Sequence, residues 1–297
     1  MFLIQTIAAV GIVLWALLYY VLIRRRFVRT KTSQDFSRAR LFVLPIIVGL
    51  AFLTIFRSVN TGYDHAVYLE ISNRLADIHF DQLWSLDFVN MEPLLLLLIK
   101  GCALLASGLM PFLFVTTALL LGIYQREIMR DSKIVWLSWL LVVAFCSYFF
   151  IFNGIAQMVV CALTFAGSKY LYDGKFWRYT LVVVIAALFH KTALVMLPLY
   201  FLLRFYPKNV RQKYQAIAVV STFIVAVWLL FDLFIQFGVA YIFPEYTNNL
   251  TIFTNISPLV VARPILVLGL VYYGFRYLNM NDMKQRVWVN SAFILLI

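Results

Sequence analysis

Charge is what this sequence has least of. Asp, Glu, Lys and Arg make up 13% of its 297 residues, and 64% are hydrophobic; ordinary soluble domains carry about 25% charged residues. No segment has the composition of a separate soluble domain. Acids are scarcest, 13 against 25 Lys and Arg. The net charge of +12 does not indicate nucleic acid, because most of the basic residues fall in short loops between apolar runs, as membrane topology requires. Cysteine is rare: Cys102, Cys146 and Cys161 all lie in apolar runs. Without a Cys-x-x-Cys spacing, neither a thiolate metal site nor a disulfide framework is indicated. The apolar runs are continuous, not alternating, which excludes a transmembrane β-barrel. No internal repeat is visible.

Apolar runs of span length recur from end to end, and mean hydropathy is +0.90. The expected fold is all-α, a polytopic integral membrane helical bundle of about 9–10 membrane segments, forming a single transmembrane domain over residues 1–297. Phe2–Ile23 is too long for a secretory h-region and lacks a small-residue cleavage site, so it reads as a retained first helix. Arg24, Arg25, Arg26, Arg29, Lys31, Arg38 and Arg40 follow, against the single acid Asp35. Positive segments stay in the cytoplasm, so the N-terminus is expected outside and residues 57–92 become a large outer loop. Residues 237–258, with Glu245 and no Lys or Arg, read as a second outer loop. Two stretches resist simple crossing. Residues 93–124 are broken at Ala106–Pro111 and fit one crossing plus a re-entrant or interfacial piece. Residues 177–205 have basic flanks and two short arms that bend at His190-Lys191, a tight or re-entrant hairpin. The last run, from Val287, is an incomplete span, which reads as a truncated C-terminus or an unusually short last helix.

Six of the 13 acids cluster between Arg57 and Glu92, so this island works in water. Its first end carries Arg57, Asp64 and Tyr68. If a helix starts near Asp64, that residue is its N-cap and Tyr68 lies one turn on. The alternative use of Asp64 is to bind or deprotonate a hydroxyl. Glu92-Pro93 has the form of an ordinary helix start. Asn153 and Gln157, four apart, suit sugar hydroxyls or helix capping equally. His190-Lys191 at a helix break offers a general base and a phosphate-binding cation. Arg263 lies in an apolar run, where its guanidinium either meets phosphate oxygens or snorkels to the interface; Lys100 is a weaker case of the same kind. Asp77-x-His79-x-Asp81 has a metal-like spacing only on a strand, and this stretch reads as helical or irregular. Asn249-Leu-Thr251 and Asn255-Ile-Ser257 match glycosylation sequons, short patterns that recur by chance.

In order and spacing, Arg57…Gly62-Tyr63-Asp64…Tyr68, Glu92-Pro93, Asn153-Gly154-Ile155-Ala156-Gln157 and Phe189-His190-Lys191-Thr192-Ala193-Leu194 resemble the EpsG family of Wzy-like bacterial exopolysaccharide and capsule polymerases. The resemblance covers about residues 1 to 280. One departure stands out: Ala156 occupies a position where the family usually has Arg before the Gln.

The resemblance implies an enzyme of the bacterial cytoplasmic membrane. It would polymerise undecaprenyl-pyrophosphate-linked oligosaccharide repeat units at the outer face, a glycosyltransferase-type reaction needing no metal and no cofactor. On that reading His190 or Asp64 is the base, Arg57, Lys191 and Arg263 hold pyrophosphate, and Tyr68, Glu92, Asn153 and Gln157 contact sugar. The partners implied are the lipid-linked oligosaccharide, the bilayer, and other polysaccharide export and assembly proteins of the membrane. Two rivals use the same residue types. A lipid-linked sugar flippase needs a site open to both sides. A metal-dependent glycosyltransferase using polyprenyl-phosphate sugars wants outer-loop acids such as Asp77 and Asp81. A membrane acyltransferase built around His190 is a further rival.

Overall fold

The computed structural model describes residues 10–11, 14–15, 18, 33–57, 63–85, 91–132, 135–144, 148–206, 269, 272–273 and 276–294. Arg263, the second outer loop at 237–258 and most of the first helix lie outside them. The described elements are all helical. In chain order they are α1 (Ser33–Ile55), α2 (Tyr63–Ala76), α3 (Pro93–Leu105), α4 (Met110–Asp131), α5 (Val135–Ala144), α6 (Ile155–Tyr172), α7 (Phe176–Ala187), α8 (Met196–Arg204) and α9 (Met283–Ile294). Short 3-10 turns occupy Phe80–Ser85, Tyr148–Phe152 and Lys191–Val195. Among the described residues, α4 alone is long and apolar enough to cross a membrane by length and composition; Pro93–Leu105 and Phe176–Ala187 are shorter apolar helices.

The chain divides into two compact units, Met1–Tyr170 with Lys175–Leu197, and Leu171–Gly174 with Pro198–Ile297. In the first, α1 packs on α4 and α5, and α3 packs on α2 and α4. Helical spacing sets the contact faces. On α1, Val43, Ile46, Leu50 and Thr54 are buried, while Leu44, Val48 and Phe52 are exposed. An exposed face that is itself apolar suits a lipid surround better than water. On α2 the buried stripe is His65, Tyr68, Ser72 and Leu75, spaced three or four apart as one helix face requires.

The expected break at Ala106–Pro111 is present: α3 stops at Leu105 and α4 begins at Met110, with Pro111 in its first turn. Gly108 makes the reversal at φ 86°, a backbone region that only glycine enters without strain. Its carbonyl accepts from Ser72 Oγ at 3.1 Å, which ties the break to α2. Lys100 is buried on α3. Its Nζ donates to the carbonyls of Leu75 (2.7 Å) and Ala76 (3.3 Å), so this lysine caps the C-terminal end of α2.

In the second unit, Arg204 at the end of α8 donates to the Leu171 carbonyl. Asn290 on α9 donates to the carbonyls of Leu203 (2.9 Å) and Phe205 (2.8 Å), satisfying the last acceptors of α8. Arg286 donates from Nε to the Met280 carbonyl at 2.8 Å.

Candidate functional site

Five segments of the first unit meet at one polar cluster: the end of α1, the first turn of α2, the start of α3, the turn before α6, and the break after α7. Helix termini explain why. A helix leaves its first four N–H groups unpaired, and carboxylates are favoured there by the dipole. Two acids of the cluster serve such groups on segments distant in the chain.

Glu92 precedes Pro93, and α3 starts there as its sequence suggests. Its side chain makes no cap bond within its own helix. Instead Glu92 Oε1 accepts from His190 Nδ1 at 2.9 Å and from the Lys191 N–H at 3.0 Å. A backbone bond from Leu94 N–H to the Leu188 carbonyl, 2.9 Å, clamps the two segments together. Burial alone would raise the Glu92 pKa, but the His190 bond and the Lys191 N–H outweigh it and hold the carboxyl below its ordinary range. An ionised Glu92 can only accept, so the imidazole carries its proton on Nδ1. That leaves the Nε2 lone pair of His190 facing Gln157, whose amide nitrogen lies 3.4 Å away. The imidazole and the carboxylate are largely enclosed, with 12% and 18% of their side-chain surfaces exposed.

Asp64 lies in the first turn of α2. The expectation that it caps the helix it begins is corrected by its partner: Oδ2 accepts from the Ile155 N–H at 3.2 Å, so Asp64 caps α6. Burial is the main influence on its carboxyl and raises its pKa, against the Ile155 N–H, Arg57 and His190, which lower it.

Arg57 follows the end of α1. Its Nε donates to His65 Nδ1 at 2.9 Å, and Nη1 donates to the Ile151 carbonyl at 3.1 Å. The guanidinium carbon lies 5.2 Å from the centre of the Phe152 ring, within cation–π range. His65 is 5% exposed. Burial, then the Arg57 charge, lower its pKa, in keeping with a neutral ring whose Nδ1 accepts.

His65 is the residue that sequence reasoning missed. The available signal was its register: it shares the core-facing stripe with Tyr68, Ser72 and Leu75, where an ionisable side chain needs a buried partner. Tyr68 lies one turn beyond Asp64 as expected, but it is buried with its ring 5.5 Å from that of Phe112. Asn153 and Gln157 do not share a helix face, because Asn153 lies in the turn before α6. Gln157 reaches His190; Asn153 is exposed, with its N–H bonded to the Phe150 carbonyl at 3.0 Å. Gly154 admits the Gln157 side chain, since a Cβ there would meet its Oε1 at 3.0 Å. Ala156 is buried in the core beside Ile155 and Val159. Lys191 is half-buried, next to the dyad. Asp77, His79 and Asp81 are part of no metal-binding group, and the described residues contain no cluster of three potential ligands.

The chemistry available is that of a carboxylate-oriented imidazole, with an arginine and a second carboxyl close by, among described elements that are all helical. Those features describe a helical protein with a largely enclosed carboxylate–imidazole pair and, among its described residues, one helix long and apolar enough to cross a membrane. The EpsG family model matches residues 40–297, and the chain belongs to that family, which is associated with polysaccharide polymerase-like function in exopolysaccharide biosynthesis. Comparison with curated proteins and with solved structures gives no match.

Proposed function

We propose that the protein joins undecaprenyl-pyrophosphate-linked oligosaccharide repeat units at the outer face of the bacterial cytoplasmic membrane, as a multi-pass helical bundle with its N-terminus outside. The observation that carries this reading is the Glu92–His190 pair. It joins two helix breaks at the rim of the first outer loop and leaves one basic nitrogen facing the cluster.

In this mechanism the acceptor sugar's hydroxyl oxygen attacks the anomeric carbon of the growing chain. The bond from that carbon to the pyrophosphate oxygen breaks, and the lipid pyrophosphate leaves. His190 Nε2 takes the hydroxyl proton. Glu92 holds the imidazole in the required tautomer and stabilises the imidazolium that forms, the part a carboxylate plays in any such pair. This replaces sugar contact as the role of Glu92. Asp64 is the weaker candidate for the base, because Oδ2 is already committed to the Ile155 N–H. Charge develops on the leaving pyrophosphate, and fixed cations stabilise it most where water is excluded. Arg57 and Lys191 supply them, joined by Arg263. Gln157 is placed to orient the acceptor, while Tyr68 serves the packing of α2 and sets the angle at which Asp64 and His65 enter the cluster.

The test is reconstitution with purified lipid-linked repeat units. A glycan ladder that persists in chelator supports the proposal. A ladder lost in chelator favours a metal-dependent glycosyltransferase. Transfer of lipid-linked sugar between leaflets with no ladder refutes it in favour of a flippase.

A further inference from the structure

The cluster holds two histidines in opposite states. His190 donates from Nδ1 to a carboxylate, whereas His65 accepts at Nδ1 from the Arg57 Nε–H. An arginine Nε always carries hydrogen and never accepts, so the bond to Arg57 exists only while His65 Nδ1 is bare. His65 therefore has its proton on Nε2. A second proton would abolish the acceptor and set an imidazolium against a guanidinium with little water between them, since His65 is almost fully buried.

We propose that His65 is a positioning residue: by accepting from Arg57 Nε it fixes the guanidinium for an anionic leaving group, and it releases that guanidinium when protonated. This rests on the polymerase reading and adds to it a device that switches the donor-binding cation. Three of its contacts hold the guanidinium: His65 at Nε, the Ile151 carbonyl at Nη1, and the Phe152 ring, whose centre lies 5.2 Å from the guanidinium carbon. Two of these come from the turn before α6, which Asp64 secures through the Ile155 N–H. The third comes from the residue next to Asp64 in α2. Arg57 is thus oriented by two segments, the turn before α6 and the first turn of α2, that Asp64 ties together. A lysine in its place would have no Nε–H to give and no planar fork to orient.

The charged groups acting on this unit are Arg57 from the end of α1, Asp64 on the same helix as His65, and His190 with Glu92 across the cluster. Burial and the Arg57 charge both oppose a proton on His65. Release then sets in below the ordinary histidine range, and the competent fraction falls about tenfold per pH unit beyond that point. Each group whose protonation disables the site adds about one to the limiting slope of kcat/KM on the acid side, so removing the His65 titration lowers that slope by about one.

His65→Asn and His65→Leu separate the possibilities. Asparagine puts an amide oxygen close to the position of Nδ1 and does not titrate. It is expected to keep activity within about threefold of wild type near neutral pH and to lower the acid slope by about one. Leucine, without an acceptor, is expected to lower kcat/KM by about ten- to a hundredfold near neutral pH, the scale of losing a hydrogen bond to a charged group, with the deficit shrinking in acid where wild-type His65 is itself protonated. A leucine variant with wild-type kcat/KM at neutral pH, or an asparagine variant that keeps the wild-type acid slope, overturns the proposal. A second measurement needs no substrate. In protein labelled with nitrogen-15 histidine, of which there are three, the His65 signal is assigned by its loss in His65→Asn. The expected result is a neutral ring protonated at Nε2, beside a His190 ring protonated at Nδ1. A His65 proton on Nδ1 refutes the inference even if the ladder forms; the expected tautomer with no ladder keeps the His65 hold on Arg57 and removes the polymerase reading.

Discussion

Replacing Glu92 isolates what the carboxylate does. One oxygen, Oε1, accepts both the His190 and the Lys191 bonds, so glutamine can keep both with its amide oxygen and lose only the charge. Hydrogen bonds to charged groups contribute about 1.5–3 kcal/mol and neutral ones about half that. The loss on Glu92→Gln is therefore about 1–2 kcal/mol, or roughly 5–30-fold in kcat. Glu92→Ala removes both bonds and frees the imidazole to take the other tautomer. A base in the wrong tautomer cannot act, so the expected fall is about a hundred- to ten-thousandfold. The assay is ladder formation per folded molecule at saturating acceptor, with folding followed by thermal unfolding in detergent. The graded order wild type, Gln, Ala in kcat, with KM for acceptor little changed, is the expected pattern. Equal kcat in all three would refute the assignment. A change confined to acceptor KM would return Glu92 to sugar contact.

Asp64→Asn keeps an acceptor for the Ile155 N–H and removes a carboxyl that burial pushes up from its usual pKa. A raised carboxyl pKa means the fold disfavours the charge at neutral pH, so the variant is expected to unfold at the same or a higher temperature at pH 7, with the gain vanishing in acid. Its activity should stay within about tenfold of wild type if His190 is the base; a loss as deep as that of His190→Ala would transfer the role to Asp64. Lys100→Met removes two bonds from the end of α2 and should cost about 1–3 kcal/mol of stability without changing kcat at a permissive temperature, which kinetics and thermal unfolding together can show. Gly154→Ala places a Cβ 3.0 Å from Gln157 Oε1. It should displace Gln157 and raise acceptor KM by about three- to tenfold, the scale of one neutral hydrogen bond.

Local signals carried well into the structure. The Pro93 start, the break at Ala106–Pro111 and the bend at His190-Lys191 were legible because each depends on residues adjacent in the chain, whose backbone constraints are intrinsic. The family pattern put Arg57, Asp64, Glu92, Gln157 and His190 in one expected site, and these residues do lie in one cluster. What each side chain does there was not legible. Asp64 looked like a cap for its own helix because capping is normally local, yet its partner is 91 residues away. Glu92 looked like a dipole-compensating acid, and its true partner is 98 residues away. No periodicity encodes such pairs, since they depend on how the breaks between helices face one another. His65 was hidden beside Asp64, and its importance comes from Arg57. Lys100 resembled a ligand-binding cation, whereas its charge is spent on the last carbonyls of α2.

The most direct measurement is the yield of undecaprenyl pyrophosphate per glycosidic bond in reconstituted vesicles supplied with lipid-linked repeat units. The expected result is one lipid pyrophosphate released for each bond formed, and neither product from His190→Ala. Bond formation without release of lipid pyrophosphate, or full product from His190→Ala, would contradict it.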